Sequence, residues 1–190
     1  NEWLSNFNYD TLKIISIHEV YPGHFVHHLQ NRYGRDLPLV NRIATSYAFT
    51  EGWAHYTEQM MMETEYAQGQ PRLLLTQLLE ALVRNCRYMC SLWMHTEGMT
   101  LDDATRFFME NAYMAELPAR REVLRGTFDP GYLNYTLGKL MILKLREDYR
   151  KEQGGGYSLK RFHDQLLSHG GPALPLLRPA LLENPGGSPL

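Results

Sequence analysis

The chain has 190 residues, 44% apolar and 21% charged, with a formal net charge of −2, which is enough for one full hydrophobic core and the ordinary balance of a globular protein. A near-neutral charge argues against a nucleic-acid partner or a membrane protein held electrostatically, and no apolar run approaches the length of a membrane span. No secretory signal opens the chain. It starts at Asn1 without a methionine, so it reads as the C-terminal portion of something longer.

Hydrophobic periodicity predicts an all-α chain, with no β-hairpin signal and no internal repeat. The first helix is expected from Tyr9 through a histidine cluster to Tyr33, with Gly34 as its C-cap. After a loop around 35–38, a second helix runs from about Ala44 to Tyr66. Gln68-Gly-Gln-Pro71 breaks the chain, and Pro71 suits the first position of the next helix. That third helix, to Glu97, carries Leu73, Leu74, Leu78, Leu82 and Met89 as an apolar stripe. Within it, Cys86 and Cys90 are four apart, poor geometry for a disulfide, and are expected as buried free thiols.

Thr100 followed by Asp103 resembles a capping box that opens a fourth helix to about Tyr113. A short fifth helix carries Arg120 to Leu124. Asp129 and Pro130 read as N-cap and first position of a sixth helix, which ends at Gly154-Gly-Gly156. Ser158 can cap a seventh helix through Ser168, and one more short helix is expected near Leu181. The reading is one helical domain over 1–183 and a flexible tail over 184–190.

The densest chemistry lies in residues 17–30, Ile-His-Glu-Val-Tyr-Pro-Gly-His-Phe-Val-His-His-Leu-Gln, which hold four of the eight histidines. A His-Glu pair with a second histidine downstream is an arrangement that places zinc beside a carboxylate base. Here His18 and His24 are six apart, about 120° apart in azimuth on a regular helix. Pro22 cannot donate a backbone hydrogen bond and clashes with the carbonyl of His18, and Gly23 gives the backbone freedom to absorb a kink. A bend at Pro22-Gly23 would return His24 to the face of His18. The rival pair is His24 with His28, four apart and needing no distortion, and the bland reading is that none of these histidines is a ligand.

A zinc site with two histidines wants a third protein ligand and an open position. The segment Glu51-Gly-Trp-Ala-His-Tyr-Thr-Glu58 offers it from the second helix. Glu51 is assigned as the ligand and Glu58, two turns on, as the residue that orients a histidine through its free ring nitrogen. Gly52 would let the first two helices approach closely. The competing reading, two carboxylates on a solvated face, sits poorly with Trp53, Tyr56, Met60 and Met61 on the same helix.

His18-Glu-Val-Tyr-Pro-Gly-His24 followed by Glu51-Gly-Trp-Ala-His-Tyr-Thr-Glu58 resembles the bacterial DUF885 family, viewed as zincin-like metallopeptidases. The resemblance continues through 84–95, Glu122-Val-Leu-Arg125, Pro130 to Lys139, Phe162-His-Asp164 and 170–177. Family members are usually much longer, so an N-terminal part missing here would supply some of the substrate cleft. Three positions depart from the family pattern: Tyr132 for a glutamine, Ser91 for an aspartate and Phe25 for a second histidine.

The chemistry requires a base for a metal-bound water, and Glu19, beside a ligand, is the natural candidate. A tyrosine hydroxyl can stabilise the tetrahedral intermediate; Tyr135 falls in the segment resembling the family's Tyr-x-x-Gly. Arg125 could bind a substrate carboxylate in bidentate fashion. His95 and His163 read as structural, and His27, His28 and His169 as surface or neighbouring residues. The expectation is a zinc hydrolase of peptides using one Zn²⁺, although manganese, cobalt or iron would suit similar ligands. The same set would permit hydrolysis of a non-peptide amide or ester, and a helical scaffold with a structural or lost metal is the non-enzymatic alternative.

Overall fold

Helix-forming segments alternate with short proline- and glycine-marked breaks, and the computed structural model, which describes residues 8–34 and 37–190, has no strand among those residues. In chain order the helices are α1 (Tyr9–Glu19), α2 (His24–Tyr33), α3 (Leu39–Ile43), α4 (Tyr47–Met62), α5 (Pro71–Thr96), α6 (Leu101–Asn111), α7 (Glu116–Phe128), α8 (Asn134–Gln153), α9 (Leu159–Ser168) and α10 (Arg178–Leu181). Single 3₁₀ turns occupy Glu65–Ala67, Pro130–Leu133, Gly154–Gly156 and Leu174–Leu177. None of the described helices is long and apolar enough to cross a membrane.

Several boundaries follow from local chemistry. The Thr100 hydroxyl accepts the Asp103 N–H at 3.1 Å and donates to its carboxylate at 2.6 Å, which fixes the start of α6. Ser158 caps α9 by accepting the Arg161 N–H, and Pro71 opens α5 where a missing N–H costs nothing.

Other boundaries differ from the sequence reading. The bent first helix is two helices, because Val20–Gly23 leave helical conformation altogether. The second is shorter than expected, starting at Tyr47 as α4, and an unforeseen short helix, α3, precedes it, with the Ser46 N–H donated to the Gly171 carbonyl between the two. The fifth helix is longer than predicted, since Pro118 falls in its first turn, where no donor is needed. Asp129 caps nothing with its side chain; its carboxylate lies 3.2 Å from Arg125 instead. Of the loop expected at 35–38, Arg35 and Asp36 lie outside the described residues.

The chain forms two compact units where the sequence suggests one domain. The first joins the stretch ending at Ile17 to Glu58–Thr136. Its apolar core is Cys86, Cys90, Ala104, Phe108, Ala112, Ala119 and Val123, from α5, α6 and α7. Both cysteines are free, and burial pushes their thiols up to about 11 and about 12. On α5 the buried residues are Leu73, Gln77, Arg84, Cys86, Cys90 and Ser91; of the expected stripe Leu73 is buried and Leu82 packs on the core, whereas Leu74 and Leu78 are exposed.

The second unit joins His18–Thr57 to Leu137–Leu190. Its buried side chains include Phe49, Trp53 and Tyr56 of α4, Ile142, Leu145 and Tyr149 of α8, and Phe162 and Leu166 of α9. Gly52 does admit a close neighbour, but that neighbour is α8, at Gly138, and not the first helix. The segment expected as a free tail starts on hydrogen bonds: Arg178 donates to the carbonyls of Pro185 and Gly186 and to Asp148, while Glu152 accepts the N–H groups of Glu183 and Asn184.

Candidate metal centre

Pro22 has no N–H to continue α1, and Gly23 serves as the N-cap residue of α2. His18 therefore sits in the last turn of one helix and His24 at the start of the next, joined by the strap Val20–Gly23. The two imidazoles converge on one atom. His18 Nε2 is 3.5 Å and His24 Nε2 3.4 Å from Oε2 of Glu51, and the rings lie 4.7 Å apart at 89°. The three residues place their ligand atoms within 4.8 Å of one another.

The two imidazole–carboxylate separations match those of ligands around one cation. Ligand atoms each about 2.0–2.1 Å from a tetrahedral centre lie about 3.3–3.4 Å from one another. The contacts are at the limit of hydrogen-bond reach, and Oε2, although buried, has no well-formed hydrogen bond. An unsatisfied buried carboxylate oxygen facing two imidazole nitrogens is the donor set zinc takes. Burial alone would raise the Glu51 carboxyl, but the facing His18 and His24 imidazoles hold it down at about 2, so it is anionic at neutral pH.

Glu19 is exposed and lines a cleft of about 330 Å³ together with His24, Phe25, His28, Thr50 and Glu51. His28, the rival ligand, stacks 6.2 Å from the His24 ring and is not part of the convergent group. His27 is fully buried, with Nε2 3.1 Å from Asn31 Nδ2, and burial pushes its imidazole down to about 4.

Glu58, Tyr135 and Arg125 belong to the first compact unit, in a cluster rich in arginine. Glu58 is fully buried and 2.8 Å from Arg84, which also pairs with Glu80 at 3.0 Å. The Tyr135 hydroxyl accepts from Arg125 at 3.3 Å, and the guanidinium groups of Arg84, Arg87 and Arg125 lie 6.0, 5.3 and 6.0 Å from its ring centre. Arg87 holds Glu122 by two hydrogen bonds of 2.7 and 2.9 Å. The structure thus brings together His18, His24 and Glu51, with Glu19 on the same cleft, and places the other three assigned residues in this cluster.

His95 Nε2 lies 2.9 Å from the Gly126 carbonyl. Ser91, one of the departures from the family pattern, donates to the Pro130 carbonyl at 2.5 Å, and Tyr132 is fully buried. Phe25 stands half-exposed on the cleft it shares with Glu19 and Glu51.

Sequence reading missed Trp53. Its indole N–H lies 3.1 Å from the Pro22 carbonyl and 3.3 Å from that of Gly23. A tryptophan two residues after a ligand is the only trace this leaves in the sequence.

His163 packs partly buried against Trp53 and Phe162, with Nε2 2.8 Å from the Tyr56 hydroxyl. Burial first, then the charge of Arg146, hold its imidazole down at about 4. The folded ring takes a proton near pH 4 and the unfolded one near 6.5, so between these values the unfolded chain binds more protons and stability falls as pH falls. The urea midpoint is expected to drop between pH 7 and pH 5. In His163→Gln the drop should shrink without vanishing, because His27 titrates in the same window; an identical drop would show that His163 is not buried neutral.

A family model described as "Bacterial protein of unknown function (DUF885)" matches residues 2–181. Among solved structures, a "putative lipoprotein" from Colwellia psychrerythraea is 34% identical over 89% of this chain, with a TM-score of 0.85. A "putative lipoprotein of unknown function" from Shewanella oneidensis is 30% identical over 95% of the chain, with a TM-score of 0.88. The chain covers 29% and 33% of those two proteins. No curated protein matches.

Proposed function

The chain belongs to the DUF885 family, and from that premise we propose that it carries the metal centre of a hydrolase acting on peptide bonds, with one divalent cation, zinc by preference, held by His18, His24 and Glu51. The observation that carries the reading is the convergence of two imidazole nitrogens on one buried carboxylate oxygen at 3.4–3.5 Å. Two neutral imidazoles and one carboxylate are a ligand set of catalytic zinc sites, and they leave a coordination position open. Zinc bound there would supply Lewis acidity, making water more acidic and polarising a carbonyl oxygen.

The chain's own residues divide the remaining work. Glu51 stays anionic and so offsets part of the cation's charge. Glu19 follows a ligand directly and faces the same cleft, exposed, where it can take a proton from the attacking water and return it to the leaving amine. Phe25 and Thr50 on the cleft give the substrate an apolar and a hydroxyl contact.

Metal analysis tests it. After equilibration with zinc and dialysis, the parent protein is expected to keep about one ion per chain. His18→Ala and Glu51→Ala should each weaken retention by more than the roughly 10–100-fold that losing a ligand's supporting partner costs. Full occupancy surviving both substitutions would remove the assignment.

A further inference from the structure

We propose that Trp53 is a positioning residue for the metal centre, tying down the strap between the two histidines so that both imidazoles reach the same Glu51 oxygen. The inference rests on the metal reading above. His18 and His24 are on different helices, so no continuous helical ladder fixes their separation; the shape of Val20–Gly23 does. The strap turns Val20 and Tyr21 outward, 50% and 72% exposed, and the Trp53 indole holds it from the other side through the carbonyls of Pro22 and Gly23. The Gly23 carbonyl also accepts the His27 N–H at 3.2 Å, so this one tie is shared with the first turn of α2.

Two features make Trp53 suited to the role. It lies two residues after Glu51 on α4, so one rigid helix presents both the carboxylate and the clamp, and the histidine strap is registered directly against the third ligand. The indole is itself held. It is 2% exposed, meets the His163 ring edge-on at 5.3 Å and packs 5.7 Å from the Tyr56 ring. The Tyr56 hydroxyl is fixed in turn by His163 at 2.8 Å and Arg146 at 3.1 Å. A metal ligand is usually oriented by a partner on its other ring nitrogen; here the orientation is imposed through the backbone between two ligands.

The test replaces Trp53 with 3-benzothienylalanine, which keeps the bicyclic shape and substitutes sulfur for the N–H, alongside Trp53→Phe. Cobalt(II) is the probe, read by competition affinity and by its visible absorption band. Both variants are expected to bind cobalt about 10–100-fold more weakly than the parent, with an altered band, while the isostere keeps the parent's melting temperature within a few degrees. An isostere that binds cobalt as the parent does, with the same spectrum, overturns the role of Trp53 and leaves the metal reading standing if His18→Ala still loses the ion. A parent protein that takes up no cobalt overturns both. A purely structural role would lower the melting temperature and leave the spectrum unmoved.

Discussion

Glutamine in place of Glu19 is expected to cut peptide hydrolysis by about 10²–10⁴-fold while zinc content stays at the parent level. The carboxamide has nearly the shape of the carboxylate but cannot take a proton at neutral pH, so the substitution removes the base and little else. Glu19 is not among the converging ligands, and its side chain is exposed. Exposed substitutions of this kind usually change stability by less than about 0.5 kcal/mol. Cleavage of a mixed peptide library, followed by mass spectrometry and paired with metal analysis, reads both quantities on one sample. Loss of zinc would make Glu19 a ligand, and unchanged turnover with zinc retained would remove it as the base. Parent protein that cleaves small amides or esters but no peptide would redirect the substrate class and leave the site intact.

The parts of the site that were legible in the sequence are those whose chemistry resides in side chains at short spacing. His18, Glu19 and His24 declare themselves by type and proximity, and Glu51 by the need for a third ligand. Pro22 and Gly23 announced a break, but not its size, because whether a proline bends a helix or ends it depends on what takes up the freed backbone groups. In this chain Trp53 meets the carbonyls of Pro22 and Gly23 at the break, and a hydrogen bond to a main-chain carbonyl leaves no residue-specific mark. The third helix misled for the opposite reason. Leu73 and Leu82 of its stripe do face inward, but Leu74 and Leu78 are exposed, while Gln77, Arg84 and Ser91 are buried; Glu58 and the Pro130 carbonyl, far away in sequence, supply partners for two of them. The two compact units were invisible because the chain passes between them at 17/18, 57/58 and 136/137, inside helices and without any shift in composition.

Gly138→Ala is expected to impose an overpacking cost of about 3 kcal/mol on the second unit, the upper end for such changes. A Cβ on Gly138 would stand 1.8 Å from the Ala48 carbonyl oxygen and 2.8 Å from the Gly52 Cα. Both are backbone atoms, so no rotamer change relieves the clash; α4 and α8 must separate. The better helix propensity of alanine returns at most about 1 kcal/mol. In a chain of this size the net loss of about 2 kcal/mol should lower the melting temperature by about 4–8 °C. Gly155→Ala is the control, since a Cβ there meets nothing within 4 Å. The consequence reaches function, because Glu51 directly precedes Gly52 on the displaced helix and its oxygen must stay within 3.5 Å of two imidazoles. Zinc affinity should therefore fall together with the melting temperature in Gly138→Ala and be unaffected in Gly155→Ala. A Gly138→Ala protein that melts with the parent and holds zinc equally well would mean that the two helices are not in backbone contact, and that Glu51 does not owe its position to them.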